Sequence, residues 1–272
     1  MARIGIAGLG LIGASVGLAL ARAGHAVSGL EPHPGRREEA LARGAARHAA
    51  STAAELAGRC EILFLCAPPR ANLDLLRGLA AAPGAPQLLI TDTGSVKGPI
   101  AELGQELFPP GSASRFVPGH PMAGGEGRGP LAARVDLFEG ATWYLCPPLP
   151  GSVPAQLLGC LTQMGATPQE VTPAEHDRRM ALLSHLPQML AFATAAAWRA
   201  SGVQAGEGGP VARELARLSQ SPPELWAEVA FENRAQLARA LRELGAEAGR
   251  LADVLARGDL EEARRALLEL AP

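Results

Sequence analysis

The chain has 272 residues, 47% hydrophobic and 19% charged, with a net charge of −2 at neutral pH. That balance gives no general attraction to nucleic acid or to an anionic membrane, while the apolar share is enough for two cored domains. Its four cysteines (Cys60, Cys66, Cys146, Cys160) show no CxxC or metal-ligand spacing, so no metal is expected. Neither a signal segment nor an apolar run of the ~18 residues of a membrane span is read, and the expected location is cytoplasmic.

Residues 3–7, RIGIA, predict a short buried strand, and Gly8-Leu9-Gly10-Leu11-Ile12-Gly13 follows it as a GxGxxG that opens a helix. Ile12, Val16 and Leu20 then recur every fourth residue, the stripe of a packed helix. In this context the three glycines allow, in turn, a tight turn, close backbone approach to a pyrophosphate, and helix–strand packing. Backbone N–H groups of Gly10, Leu11, Ile12 and Gly13 sit where a helix N-terminus attracts phosphate. A second strand, HAVSGLE, ends at Glu31, whose carboxylate suits both ribose hydroxyls and repels a 2′-phosphate. The cofactor expected is therefore NAD. Arg36 and Arg37 just beyond would serve NADP instead, although GRREEALARG reads first as a solvated helix face.

The alternation continues with EILFLCAPP (61–69), which stops at Ala67, Pro68 and Pro69, and with QLLITDTG (87–94), followed by Ser95-Val96-Lys97-Gly98. Such apolar runs suit a parallel sheet covered on both faces. RFVPGHP is expected as one strand running into GHPMAGGEGRG, which sets one histidine and one glutamate among glycines. ATWYLCP, a helix in VPAQLLGCLTQMG and a strand at 167–171 complete the unit. The fold class expected is α/β: a Rossmann-type dinucleotide-binding domain over 1–171, then an all-α helical domain over 172–272. Residues 8–13, 67–69, 92–95 and 119–120 should meet at the carboxyl edge of the sheet, with Asp92 and Ser95 among the cofactor contacts and His120 beside the nicotinamide.

The helical half starts at Thr172-Pro173-Ala174-Glu175, a capping box with proline at the first helical position. Pro187 is expected to kink the long helix that follows. Ser221-Pro222-Pro223-Glu224 repeats the start signal. Leu237, Leu241, Leu244, Ala248, Leu251 and Leu255 then form an apolar seam that can pack within the chain or against a second subunit, and a homodimer built through the helical domain is expected.

The motifs GLGLIGAS, DTGSVKG, GHPMAGGE, LFEGATWYLCP and HDRRMALLSHLP occur in the order found in the prephenate and arogenate dehydrogenases of tyrosine biosynthesis, and the chain resembles that family over nearly its whole length. It resembles the bare form, without a chorismate mutase segment or ACT domain. The resemblance implies NAD-dependent oxidative decarboxylation of prephenate to 4-hydroxyphenylpyruvate, with arogenate as the alternative substrate. It makes His120 the base that takes the hydroxyl proton and Ser95 a catalytic partner on the same hydroxyl. It places Glu126, Ser184, His185, Gln188, Arg213 and Arg217 about the substrate, has Lys97 fix its loop, and assigns His176 and Asp177 to the domain junction.

Two departures bear on substrate choice. Gln188 stands where the family often has a histidine, and Ala227 where it often has an arginine. A pocket poorer in positive charge would suit arogenate, which carries an ammonium. The rivals are a β-hydroxyacid dehydrogenase or imine reductase, and a non-catalytic NAD-binding redox sensor. The first generally needs a lysine in the helical domain, and the only lysine here is Lys97; the second leaves His120 and Ser95 unexplained.

Overall fold

The computed structural model describes residues 1–81, 87–109, 111–112, 115–125 and 127–271. The chain divides into two compact units, Met1–Asp177 with Ala227–Glu232, and Arg178–Trp226 with Asn233–Pro272.

In the first unit the apolar runs form β1 (Arg3–Ala7), β2 (Ala26–Leu30), β3 (His48–Ala50), β4 (Ile62–Leu65), β5 (Leu89–Asp92) and β6 (Arg115–Val117). They make one parallel sheet in the order β3-β2-β1-β4-β5-β6. Every residue of β4 and β5 is buried, because helices cover both faces. The order reverses between β1 and β4, so the carboxyl ends of these strands flank the crevice where open α/β sheets bind ligands. One core holds Ile4, Ile6, Val16, Leu20 and Phe64 with Phe138 and Trp143; the other holds Leu56, Leu63, Leu65, Leu76 and Ile90.

RFVPGHP is not one strand. β6 ends at Val117, and β7 (Gly119–Pro121) opens a second sheet with β8 (Thr142–Leu145) and β9 (Thr167–Glu170), in the order β7-β8-β9. Pro118 stands at the break, where its missing N–H could not serve a continuing ladder. β7 runs antiparallel to β8, with His120 opposite Tyr144, and β8 runs parallel to β9.

A helix runs from Pro173 to Ser201, the capping hydroxyl of Thr172 accepting from Glu175 N–H at 3.2 Å. At Ala181–His185 it widens into a π turn, directly ahead of the ring and missing N–H of Pro187. Contrary to the sequence expectation, this helix is long and apolar enough, by length and composition, to span a membrane. It buries His176, Asp177, His185 and Gln188, each bonded to protein partners. The second unit continues with helices Pro210–Ser219, Arg234–Ala256 and Leu260–Leu270. Along the expected seam Leu237 is buried, whereas Leu241 and Leu255 are exposed.

Candidate active site

The glycine turn after β1 has the shape its spacing implies. Gly8 takes φ +97°, a region open to glycine, and a Cβ there would lie 2.7 Å from the Cys66 backbone. At Gly13 a Cβ would fall 1.9 Å from the Gly8 carbonyl oxygen, so helix and strand touch only because no side chain intervenes. Gly10, by contrast, faces open space. It caps the helix Leu11–Arg22 without a side-chain hydrogen bond, and no acidic residue sits in the first turn. The positive end of that helix is thus uncompensated and accessible, which fits a dinucleotide pyrophosphate.

Glu31 is buried beneath this turn. Its Oε2 accepts from Leu9 N–H at 3.0 Å and its Oε1 from His33 N–H at 3.1 Å. A carboxylate has about four acceptor positions, so each oxygen keeps capacity for a ribose hydroxyl. After β4, Ala67 N–H donates to Asn72 Oδ1 at 3.1 Å, and Asn72 Nδ2 returns to the Leu65 carbonyl at 3.3 Å. Buried Asn72 shapes the Ala67-Pro68-Pro69 turn; sequence reading missed it, because a lone asparagine in a helix has no signature.

At the end of β5, Asp92 turns inward. Its carboxylate pairs with the Lys97 ammonium, accepts from Gly94 N–H at 2.8 Å and accepts from Gly119 N–H at 3.0 Å. Lys97 is fully buried and also donates to the Gly119 carbonyl at 2.8 Å. Asp92, expected as a cofactor contact, engages both of its oxygens in this clamp. Half-buried Ser95 lies in the loop the clamp closes. Gly119 has no room for a side chain: a Cβ would sit 2.8 Å from Trp143 Nε1 and 2.9 Å from Thr91 Oγ1.

His120 follows directly. Its Nδ1 lies 2.9 Å from Nε2 of His176, whose Nδ1 lies 2.7 Å from Asp177 Oδ1. The same Asp177 carboxylate accepts from the N–H groups of Lys97 at 2.7 Å and Gly98 at 2.8 Å, capping helix Gly98–Leu107. Burial holds the His176 imidazole below the usual histidine range, partly offset by the bond to Asp177. Rather than merely serving a junction, His176 and Asp177 tie the strand of His120 to the loop of Ser95. All of these residues belong to the first unit.

This arrangement goes with a specific likeness. A family model described as the nucleotide-binding domain of prephenate dehydrogenase matches residues 16–165, and one described as its dimerization domain matches residues 172–269. The chain belongs to the prephenate dehydrogenase family. The prephenate dehydrogenase of Bacillus subtilis is 30% identical over 238 residues, which are 84% of this chain and 63% of that enzyme, so the chain spans less than two thirds of this relative's length. The crystal structure of Synechocystis arogenate dehydrogenase matches with TM-score 0.75 and 30% identity, covering 98% of this chain and 96% of that one. Prephenate dehydrogenase from Aquifex aeolicus, solved with hydroxyphenyl propionate and NAD+, shares the fold with TM-score 0.85 at 24% identity, covering 99% of this chain and 96% of that one.

The remaining residues named from the family motifs lie in the second unit, apart from Glu126, which lies outside the described residues. Ser184 is half-buried in the π turn, and His185 is fully buried with Nδ1 3.1 Å from Asn233 Nδ2 and its ring edge-on to Trp226. Gln188 is buried too, donating to the Leu218 carbonyl at 2.7 Å. Arg217 forms a two-pronged pair with Glu214, and Arg213 donates to the Gly208 carbonyl at 3.3 Å. Both arginines stand on the exposed side of their helix.

Proposed function

We propose that this member of the family is an NAD-linked prephenate dehydrogenase that converts prephenate to 4-hydroxyphenylpyruvate with loss of CO2. The observation that carries the reading is the Asp92–Lys97 clamp on the Gly119 peptide, which brings the Ser95 loop and His120 to one edge of a dinucleotide-binding sheet. When bound, the dinucleotide supplies a hydride acceptor. Ser95 orients the ring hydroxyl by a hydrogen bond, and His120 takes its proton at Nε2. As the ring C–OH becomes carbonyl-like, the ring carboxylate departs and the ring aromatises, which makes the step irreversible. A positioned base of this kind contributes ~10²–10⁴-fold. NAD rather than NADP follows from Glu31, which would face a 2′-phosphate with buried negative charge, and NAD+ is the cofactor in the Aquifex complex.

Arogenate is the second reading, favoured by neutral Gln188 and Ala227 and by the 30% identity to the Synechocystis arogenate dehydrogenase. We assign the assembly as a homodimer, on the match to a dimerization domain and on exposed Leu241, Leu255, Leu260, Leu267 and Leu268 along the last two helices. Four free cysteines suit a reducing, cytoplasmic setting.

The test follows reduced-cofactor absorbance with prephenate and with arogenate, each against NAD and NADP. Turnover of prephenate with NAD is expected, and silence in all four combinations would end the assignment. His120→Asn should lower kcat by about two decades or more with NAD affinity near normal; normal turnover would remove His120 from the chemistry. Sedimentation should show a dimer that Leu241→Glu with Leu255→Glu weakens.

A further inference from the structure

We propose that Asp177 and His176 are positioning residues that fix His120 in the tautomer with its proton on Nδ1 and its lone pair on Nε2, the form that lets Nε2 act as a base. The inference rests on the functional reading above and deepens it by naming what prepares the base.

Ionised Asp177 has only acceptor oxygens, so at 2.7 Å the proton of the contact must sit on His176 Nδ1. His176 is 1% exposed, and burial favours its neutral form. A neutral imidazole protonated on Nδ1 presents a lone pair on Nε2. His120 Nδ1 lies 2.9 Å from that lone pair and must donate to it. The lone pair of neutral His120 is then on Nε2, and a proton leaving the substrate hydroxyl binds there while the Nδ1 proton stays in place.

Asp177 is itself held from the other side. Its two oxygens accept from Lys97 N–H and Gly98 N–H, the backbone that follows Ser95. One carboxylate therefore sets both the tautomer of the base and the course of the serine loop. When His120 gains its second proton, the charge faces a chain of dipoles ending on an anion, which strengthens the base. Among the described residues, the groups about His176 also include the Lys97 ammonium, which opposes a second positive charge, the Asp92 carboxylate, and the Tyr144 ring, edge-on at 5.6 Å between centroids.

The experiment uses full-length, NAD-bound protein with nitrogen-labelled histidines, read by imidazole nitrogen NMR beside pH–rate profiles. In the unaltered protein at pH 8, His120 should show a protonated Nδ1 and an unprotonated Nε2. His176→Phe removes the acceptor: the tautomer should shift toward Nε2–H, kcat should fall ~10- to 100-fold, and KM should stay within about threefold. The acidic limb of kcat/KM should move to lower pH. In His176→Gln an amide oxygen can again accept from Nδ1, and part of the lost turnover should return. A proton on Nε2 in the unaltered protein, or an unmoved acidic limb and tautomer in His176→Phe, would overturn the proposal. Should the variants fail to fold, the spectrum of the unaltered protein decides alone. A chain with the expected tautomer but no turnover of prephenate or arogenate would sink the functional reading and leave the relay standing.

Discussion

Lys97 donates its ammonium to the carbonyl oxygen of Gly119 at 2.8 Å, from a side chain with no exposure to solvent. Asp92 takes the N–H of the same residue at 3.0 Å, so Gly119 is held at both of its backbone polar groups by one buried ion pair. Removing one partner of such a pair strands a charge in the interior, which typically costs ~3–5 kcal/mol. Lys97→Met should therefore lower the urea midpoint sharply and abolish turnover. The double variant Lys97→Met with Asp92→Asn should recover much of the stability, because no unpaired charge remains, but not the activity, because the Gly119 carbonyl stays unclamped. Equal losses in single and double variants would show that the pair does not govern that peptide.

Glycines 10 and 13 separate folding from binding. Gly10 has φ −71°, and a methyl group added there would meet nothing within 4 Å. Gly10→Ala should thus leave the thermal midpoint within about 2 °C while weakening NAD binding about tenfold or more, by crowding the phosphate site. Gly13→Ala instead meets the Gly8 carbonyl oxygen at 1.9 Å and should destabilise the unit outright. Calorimetric NAD titration of both variants checks the contrast. Unchanged affinity in Gly10→Ala would mean that the dinucleotide lies elsewhere.

Glu31 carries two roles that one substitution exposes. Glu31→Ser takes the acceptor away from Leu9 N–H and His33 N–H and removes negative charge from the ribose site. The ratio of kcat/KM for NADP over NAD should rise by about tenfold or more, with a stability loss of ~1–3 kcal/mol from the stranded buried donors. An unmoved ratio would take cofactor choice away from Glu31.

What the sequence made legible was whatever is local or periodic. The GxGxxG with its strand and helix, the buried runs of β4 and β5, and the capping box at Thr172 are all contacts between near neighbours, and they stand where pattern put them. RFVPGHP misled because alternation looks the same whether the pairing partner is β5 or β8; only tertiary pairing shows that the ladder changes sheets at Pro118. The role of Asp177 was hidden for a related reason. Its partners Lys97 and Gly98 lie 80 and 79 residues away, and they offer backbone N–H groups, which every residue except proline has and no motif records. The place of Asp92 at the end of β5 was legible, yet the direction of its carboxylate was not, since that depends on a lysine five residues on turning inward.

His176 also ties stability to pH. Burial is the leading influence on its imidazole and lowers its affinity for a proton relative to the ordinary value of 6.5, with the Asp177 bond acting the other way. The unfolded chain protonates this ring as pH falls through about 6.5, while the folded chain keeps it neutral to lower pH. Between those two points the unfolded state binds more protons, so the native state loses stability on acidification and gains none above about pH 7. The slope attributable to one such group approaches ~1.4 kcal/mol per pH unit. Carboxylates with lowered affinities, such as Glu55, Glu61 and Asp136, act below their ordinary values of 4.5 and 3.8 and so outside this window. Urea unfolding at pH 8, 7, 6 and 5.5 should thus show a fall in midpoint beginning near pH 6.5, and His176→Gln should flatten it. A variant that keeps the full slope would place its origin in another histidine, and a native state that strengthens on acidification would reverse the assignment of His176 as neutral.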